Sequence, residues 1–314
     1  MGRTGEEQYP DPDVMGYNPC AEQSLAPYET CCLAEIYLPN IESEKELKKV
    51  ARYLYRINKH SLAIKCAVKE TEDIVHKHMR MGIGVTGYLQ ATEEQRSWLE
   101  SCYIYLREYD RTYSRDAGYP ASIKLTTVKP SGTLSLLAGV TPGAHPGYSE
   151  HYIRRIRMSA DSELVGVCRN NGFGVEYVRN FDGTEDHSTV VVSFPCKFPK
   201  GTMFAGDMSA VDQLEVIKRL QAEWSDNSVS VTVYYRKEEL DVIKAWLREN
   251  YVNVKSVSFL LHNDHGFDQA PLEEIDRKTY NKLKKQCTPI TSLQDIKMED
   301  IEIDDCASGA CPVR

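Results

Sequence analysis

The sequence predicts an α/β protein built on parallel strands, and three observations carry that expectation. Short apolar runs with the length of buried strands recur at residues 33–38, 123–128, 190–194, 229–234 and 256–261. Longer stretches between them repeat their apolar residues at helical spacing. Alternating strands and helices bury their apolar faces as a sheet with parallel strands and helices packed against it. The bulk numbers agree: 314 residues suit one large domain or two ordinary ones, with 41% hydrophobic and 27% charged residues as in globular proteins. No apolar run is long enough to span a bilayer.

Residues 1–16, beginning MGRTGEEQYPDPDV, are polar and acidic with two prolines and read as an arm or linker. They lack an apolar signal-peptide core, so the expected location is cytoplasmic. The run Asn18-Pro19-Cys20-Ala21-Glu22 follows. Pro19 disfavours helix and pushes Asn18 toward extended backbone. In an extended segment alternate side chains share a side, which would gather the amide of Asn18, the thiol of Cys20 and the carboxylate of Glu22. Cys31 and Cys32 come next, and the apolar run 33–38 reads as a strand.

Ser43-x-x-Glu46 is a capping-box signature, and Leu47, Val50, Ala51, Leu54 and Ile57 continue it at helical spacing. A second helical stretch over 62–79 leads into Arg80-Met81-Gly82-Ile83-Gly84-Val85-Thr86-Gly87. That GxGxxG spacing is no dinucleotide site, because the fingerprint needs a strand before it and a helical pattern stands there instead. Its glycines are expected to let packed elements pass closely. Thr92-x-x-Gln95 opens another helix, with Trp98, Leu99, Cys102, Leu106 and Tyr109 on one face. Cys102, Cys66 and Cys168 read as core residues in helical surroundings. The run 123–128 delivers Lys129-Pro130-Ser131-Gly132-Thr133-Leu134-Ser135 at its end. Helical patterns recur over 211–224, over 238–250 with Leu240, Ile243, Trp246 and Leu247, and within 269–287. From Thr288 the chain is acidic, poor in aromatics and expected to form a mobile tail.

A net charge of −8 argues against a general nucleic-acid binder, although a local cradle can still take an anionic nucleotide. Ten cysteines without an export signal point to thiol, metal or redox chemistry more than to a disulfide framework.

Several of these runs together resemble the ribonucleotide reductases, in that family's order: YNPCAEQSLAPYETCCLAEIYLPN, RMGIGVTGYLQA, KPSGTLSLLAGVTPGAHPGYSEHYIRRIRMS, EWSDNSVSVTVYY, LLHNDHGFDQAPLEEI and the terminal CASGACPVR. The likeness runs from Tyr17 onward and is nearest to the monomeric, adenosylcobalamin-dependent (class II) ribonucleoside-triphosphate reductases. It implies the second half of a ten-stranded α/β barrel, with the active-site finger loop, over residues 17–287, and a C-terminal redox tail over 288–314. Residue roles follow from the same resemblance. Cys20 would become a thiyl radical and take the ribose 3′-hydrogen, Glu22 would accept the 3′-hydroxyl proton, and Asn18 would orient the substrate. Cys31, eleven residues after Cys20, would be one thiol of the reducing pair, its partner lying in the first half-barrel. Cys32 departs from the asparagine common there, and a Cys31–Cys32 disulfide would be strained.

Ser131, Gly132 and Thr133 match the family's substrate-phosphate loop, and freed backbone N–H groups with two hydroxyls suit that role. Cys306 and Cys311 match its redox shuttle, recharged by thioredoxin or a similar dithiol. Arg154 and Arg155 are equally compatible with phosphate binding and with bracing or solvated surface. In this class adenosylcobalamin makes the radical beside the cysteine. The nineteen tyrosines therefore need form no relay, and His145, His151, His262 and His265 gain no support as metal ligands. A separate chain supplying the first half-barrel is the implied partner. Competing readings are a non-catalytic thiol-redox or binding module derived from this fold, a ribonucleoside-diphosphate reductase, and a zinc module, which lacks clustered ligands.

Overall fold

The computed structural model describes residues 11–180, 182–262 and 268–292. Its elements run β1 (Gly16–Tyr17), β2 (Ser24–Leu25), β3 (Leu33–Tyr37), α1 (Glu44–Leu62), α2 (Lys69–His78), β4 (Gly82–Thr86), α3 (Glu93–Ala117), α4 (Leu134–Ala138) and β5 (His151–Ser159). There follow α5 (Glu163–Asn170), β6 (Gly174–Arg179), β7 (Glu185–Lys197), α6 (Ala210–Glu223), β8 (Thr232–Tyr235), α7 (Leu240–Asn250), β9 (Ser258–Leu261), β10 (Leu272–Glu274) and α8 (Arg277–Gln286). The described residues divide into two compact units, one of residues 11–146 and 201–262, the other of 147–180, 182–200 and 268–292.

The first unit is the expected parallel α/β assembly. β3 pairs in parallel with β4, and β8 with β9. Single parallel bridges, Ile83 to Thr126 and Val128 to Val229, carry the order from β4 through 126–128 to the segment that enters β8. The run 123–128 contributes through these bridges and not as a long ladder. Helices α1, α3 and α6 close over the strands. Their buried Leu47, Ala51, Leu99, Leu106, Leu214 and Ile217 join Ile36, Ile83, Val85, Leu125, Val229 and Val233 in one core.

Local chemistry sets the helix starts. The Thr92 hydroxyl accepts from the Gln95 N–H at 3.1 Å while the Gln95 side chain accepts from the Thr92 N–H at 2.7 Å, a complete capping box. At α1 only half of the predicted box forms: Ser43 Oγ takes the Glu46 N–H, and the Glu46 carboxylate turns to the Glu42 N–H. The stretch 62–79 is broken before α2, so Cys66 lies half-buried in a turn, whereas Cys102 and Cys168 are buried in helices as expected.

The glycine-rich run after α2 is the wholly buried strand β4. A Cβ on Gly82 would meet Leu33 Cδ2 at 2.6 Å, and one on Gly84 would meet Glu35 Oε1 at 2.3 Å. The glycines therefore permit close passage of packed elements, here of one strand beside another.

The second unit departs from the parallel expectation. It is an antiparallel sheet in the order β10-β5-β7-β6, so residues 190–194 belong to a long meander strand and not to a parallel layer. On it, Val165 and Cys168 of α5 pack against Val190 and Val192. Of the three arginines of β5, Arg154 and Arg155 are the two singled out in the sequence. Arg155 binds the Glu273 carboxylate and the Ala270 carbonyl, and the Arg154 side chain is buried.

Candidate active site

The NPCAE run is a tight turn between β1 and β2 and not an extended segment. The Asn18 N–H donates to the Gln23 carbonyl at 3.0 Å, the Ala21 N–H to the Asn18 carbonyl at 2.9 Å, and Ala21 is left-handed at φ 59°. Strand alternation therefore does not place these side chains; the turn does. Asn18 acts twice: its Oδ1 accepts from the Gln23 N–H at 3.0 Å, and its Nδ2 lies 3.5 Å from Cys31 Sγ. Cys20 is half-buried near the tip, its carbonyl held by the Ser230 hydroxyl. The backbone of Glu22 is clamped too, its carbonyl taking the Thr127 hydroxyl at 2.7 Å and the Ser228 N–H at 3.0 Å. Segments 127–128 and 228–230 thus position the turn against the parallel strands.

The buried side chain of Glu22 ends in an Oε2 with no hydrogen-bond partner among the described residues. Its charge reaches Cys31: desolvation first, and the Glu22 carboxylate second, push that thiol up to about 12, while Lys129 opposes the rise. Burial alone pushes Cys32 up to about 11, and its Sγ faces the Asn58 carbonyl at 4.0 Å. Both sulfurs are therefore thiols near neutrality, Cys31 on an exposed residue and Cys32 on a half-buried one. Asn18, Glu22 and Cys31 are brought together, with Cys20 on the same turn.

A residue that sequence reasoning missed lies beside them. Glu35, midway along β3, accepts from the Ser131 hydroxyl at 3.2 Å through Oε2, and its buried Oε1 has no partner among the described residues. Burial pushes its carboxyl up to about 8 against the pull of Lys129 and Ser131, with Glu22 adding repulsion. Its sequence signal was a lone acid in the apolar run LAEIYL.

Ser131 itself is buried and left-handed at φ 54°, Gly132 is buried, and exposed Thr133 leads into α4 without a side-chain cap. The Tyr37 hydroxyl holds the start of α4 by the Leu134 carbonyl at 3.1 Å. The histidines have other work. His145 is buried between the Pro142 carbonyl at 3.1 Å and the Thr232 N–H at 3.0 Å, and desolvation lowers it to about 4. His151 packs on Tyr280 with ring centroids 4.8 Å apart, and desolvation lowers His262. His265, Cys306 and Cys311 lie outside the described residues.

The parallel half-sheet, with a cysteine turn set against it, has a match among known proteins. A family profile described as the ribonucleotide reductase barrel domain fits residues 10–101. A crystal structure of a B12-dependent (class II) ribonucleotide reductase superposes with a TM-score of 0.73 at 29% identity, covering 88% of this chain and 43% of that one. The chain is a relative of the ribonucleotide reductases. Its fold is that of their α/β barrel. A probable adenosylcobalamin-dependent ribonucleoside-triphosphate reductase of Dictyostelium discoideum is 34% identical over 98% of this chain, and one of Euglena gracilis is 32% identical over 92%. This chain spans 41% and 40% of those two relatives. The alpha subunit of the Actinobacillus ureae class Id enzyme shares the fold alone, at 13% identity and a TM-score of 0.53 over 80% of this chain.

Proposed function

We propose that this chain carries the radical site of a ribonucleotide reductase acting on ribonucleoside triphosphates, and that it works with a further segment or chain supplying the first half-barrel. The observation that carries the reading is the meeting of Asn18, Glu22 and Cys31 beside the Cys20 turn, with a buried carboxylate oxygen left open. An unpartnered carboxylate oxygen costs free energy unless a ligand completes it. A ribose hydroxyl is such a ligand.

The roles are those the family resemblance implies, and the meeting of these side chains supports them. Cys20, as a thiyl radical, takes the 3′-hydrogen to form its S–H and gives that hydrogen back to C3′ once the sugar is reduced, which regenerates the radical. Glu22 Oε2 accepts the 3′-hydroxyl proton, and the Asn18 amide holds substrate and Cys31 in register. The 2′-hydroxyl leaves as water after taking a proton from a thiol. Two electrons from Cys31 and a second thiol reduce the sugar, leaving a disulfide. Ser131, Gly132 and Thr133 hold the phosphates.

Adenosylcobalamin, for which the relatives are named, supplies when bound the one-electron oxidation of Cys20. Of the described residues, Cys20 is the one it would act on, half-buried near the tip of a turn. We assign the tail thiols Cys306 and Cys311 to shuttling reducing equivalents from thioredoxin or a similar dithiol. Residues 1–16 are then an arm, 288–314 the tail, and the setting cytoplasmic; among the described residues no helix is long and apolar enough to cross a membrane.

Co-expression with a first half-barrel and an assay of deoxynucleotide formation with adenosylcobalamin tests the reading. The assembled pair is expected to turn over and this chain alone is not. Turnover by this chain alone, or by a pair carrying Cys20→Ala, would refute it.

A further inference from the structure

Glu35 joins two parts of the proposed site. Its Oε2 takes the Ser131 hydroxyl at 3.2 Å, and Ser131 is one of five non-glycine residues with positive φ among the described residues, at 54°. Such a conformation is strained for a residue with a side chain and persists where its surroundings hold it. The carboxyl lies over Gly84 of β4, where a Cβ would come within 2.3 Å of Oε1. Among the described residues, the carboxylates with a buried, unpartnered oxygen are Glu22 and Glu35. The groups facing Glu35 are Lys129 and Ser131 from the segment after 128, Glu22 from the turn, and Gly84, which brings no charge, from β4.

We propose that Glu35 is a positioning residue of this site, holding Ser131 and with it the PSGT turn in the shape that receives the anionic end of the substrate. The proposal rests on the reading that this turn binds the substrate's phosphates. Glu35 does its work as the neutral acid. Burial pushes its carboxyl up to about 8, and ionisation would add a second negative charge to that of Glu22 beneath the phosphates.

The test uses the assembled two-part barrel, with CTP and cytidine as probes in equilibrium dialysis at pH 7 and pH 9. The ratio of their affinities isolates the phosphate contribution. In the wild type that ratio falls about tenfold from pH 7 to pH 9, one unit past the carboxyl's titration. Glu35→Gln, which keeps an acceptor for Ser131 and cannot ionise, retains the pH 7 ratio at pH 9. Glu35→Ala lowers the ratio about tenfold at pH 7 and raises KM for CTP by a similar factor, with kcat changed less than about threefold.

Ser131→Ala separates the two readings. If it lowers the ratio while both Glu35 variants match the wild type at both pH values, the Glu35 proposal falls and the phosphate turn stands. If no variant moves the ratio, both fall. If Glu35→Ala lowers kcat and the melting midpoint together and leaves the ratio untouched, Glu35 is only structural and the proposal is overturned.

Discussion

Arg107, Asp226 and Glu22 are buried and Glu35 is half-buried, yet the structure completes the first two and not the carboxylates of Glu22 and Glu35. Arg107 gives its Nε to the Tyr103 hydroxyl, one terminal nitrogen to the Ser122 carbonyl, and the other to the Ile123 carbonyl and Asp226. Asp226 also takes the N–H groups of Leu125 and Thr126. Nearby, Lys59 spends its ammonium on Asp110, the Pro120 carbonyl and the Ser122 hydroxyl. Around the cysteine turn, by contrast, Glu22 and Glu35 each keep a buried oxygen without a partner among the described residues. A saturated buried pair braces the strands. An unsaturated carboxyl can still take a ligand. The difference separates scaffold from site within one unit.

The largest effect that could break this contrast lies in activity. Glu22→Gln in the assembled barrel should lower kcat by roughly 10²–10⁴-fold, the usual loss of a general base, with a denaturation midpoint at or above that of the wild type. Loss of stability would instead make Glu22 another brace. Arg107→Met should do the reverse, costing about 3–5 kcal/mol by urea unfolding because Asp226 is left buried and unpaired. If Arg107→Met is neutral in stability, the contrast fails at its other end.

A smaller effect concerns His145. Its pKa is lowered to about 4 by burial, below the usual 6.5 of an unfolded chain. Its stabilising contribution is thus present above about pH 6.5 and lost as pH falls toward 4, up to about 3 kcal/mol. His145→Gln should flatten that part of the urea stability curve between pH 7 and pH 4.5. Smallest is Thr92→Ala, which removes a cap far from the site. It should cost about 1 kcal/mol in thermal unfolding and leave kcat unchanged.

Legibility in the sequence followed the range of the interactions involved. Capping at Thr92 and Gln95 is settled within four residues, so the start of α3 could be read directly. Helical spacing placed α1, α6 and α7 for the same reason. Strand β4 hid because two glycines and complete burial leave no alternation to detect. The strand at 190–194 was visible, but its antiparallel partners, β5 and β6, are a tertiary choice. At the site the residue types were legible and the geometry was not. Proline argued for extended backbone, whereas the left-handed Ala21 and the Asn18–Gln23 pairing fold the run into a turn. Glu35 was passed over because its meaning depends on Gly84 across the ladder and on Ser131, ninety-six residues away.

The central claim is a radical cysteine on the turn, served by Glu22 and Cys31. It is tested most directly by a single turnover of the reduced, assembled barrel with adenosylcobalamin and a ribonucleoside triphosphate, without external reductant. The wild type should form deoxynucleotide and leave Cys31 in a disulfide, and Cys20→Ser should form none. Equal product from Cys20→Ser, or product formed with Cys31 still reduced and no other thiol pair oxidised, would contradict the account.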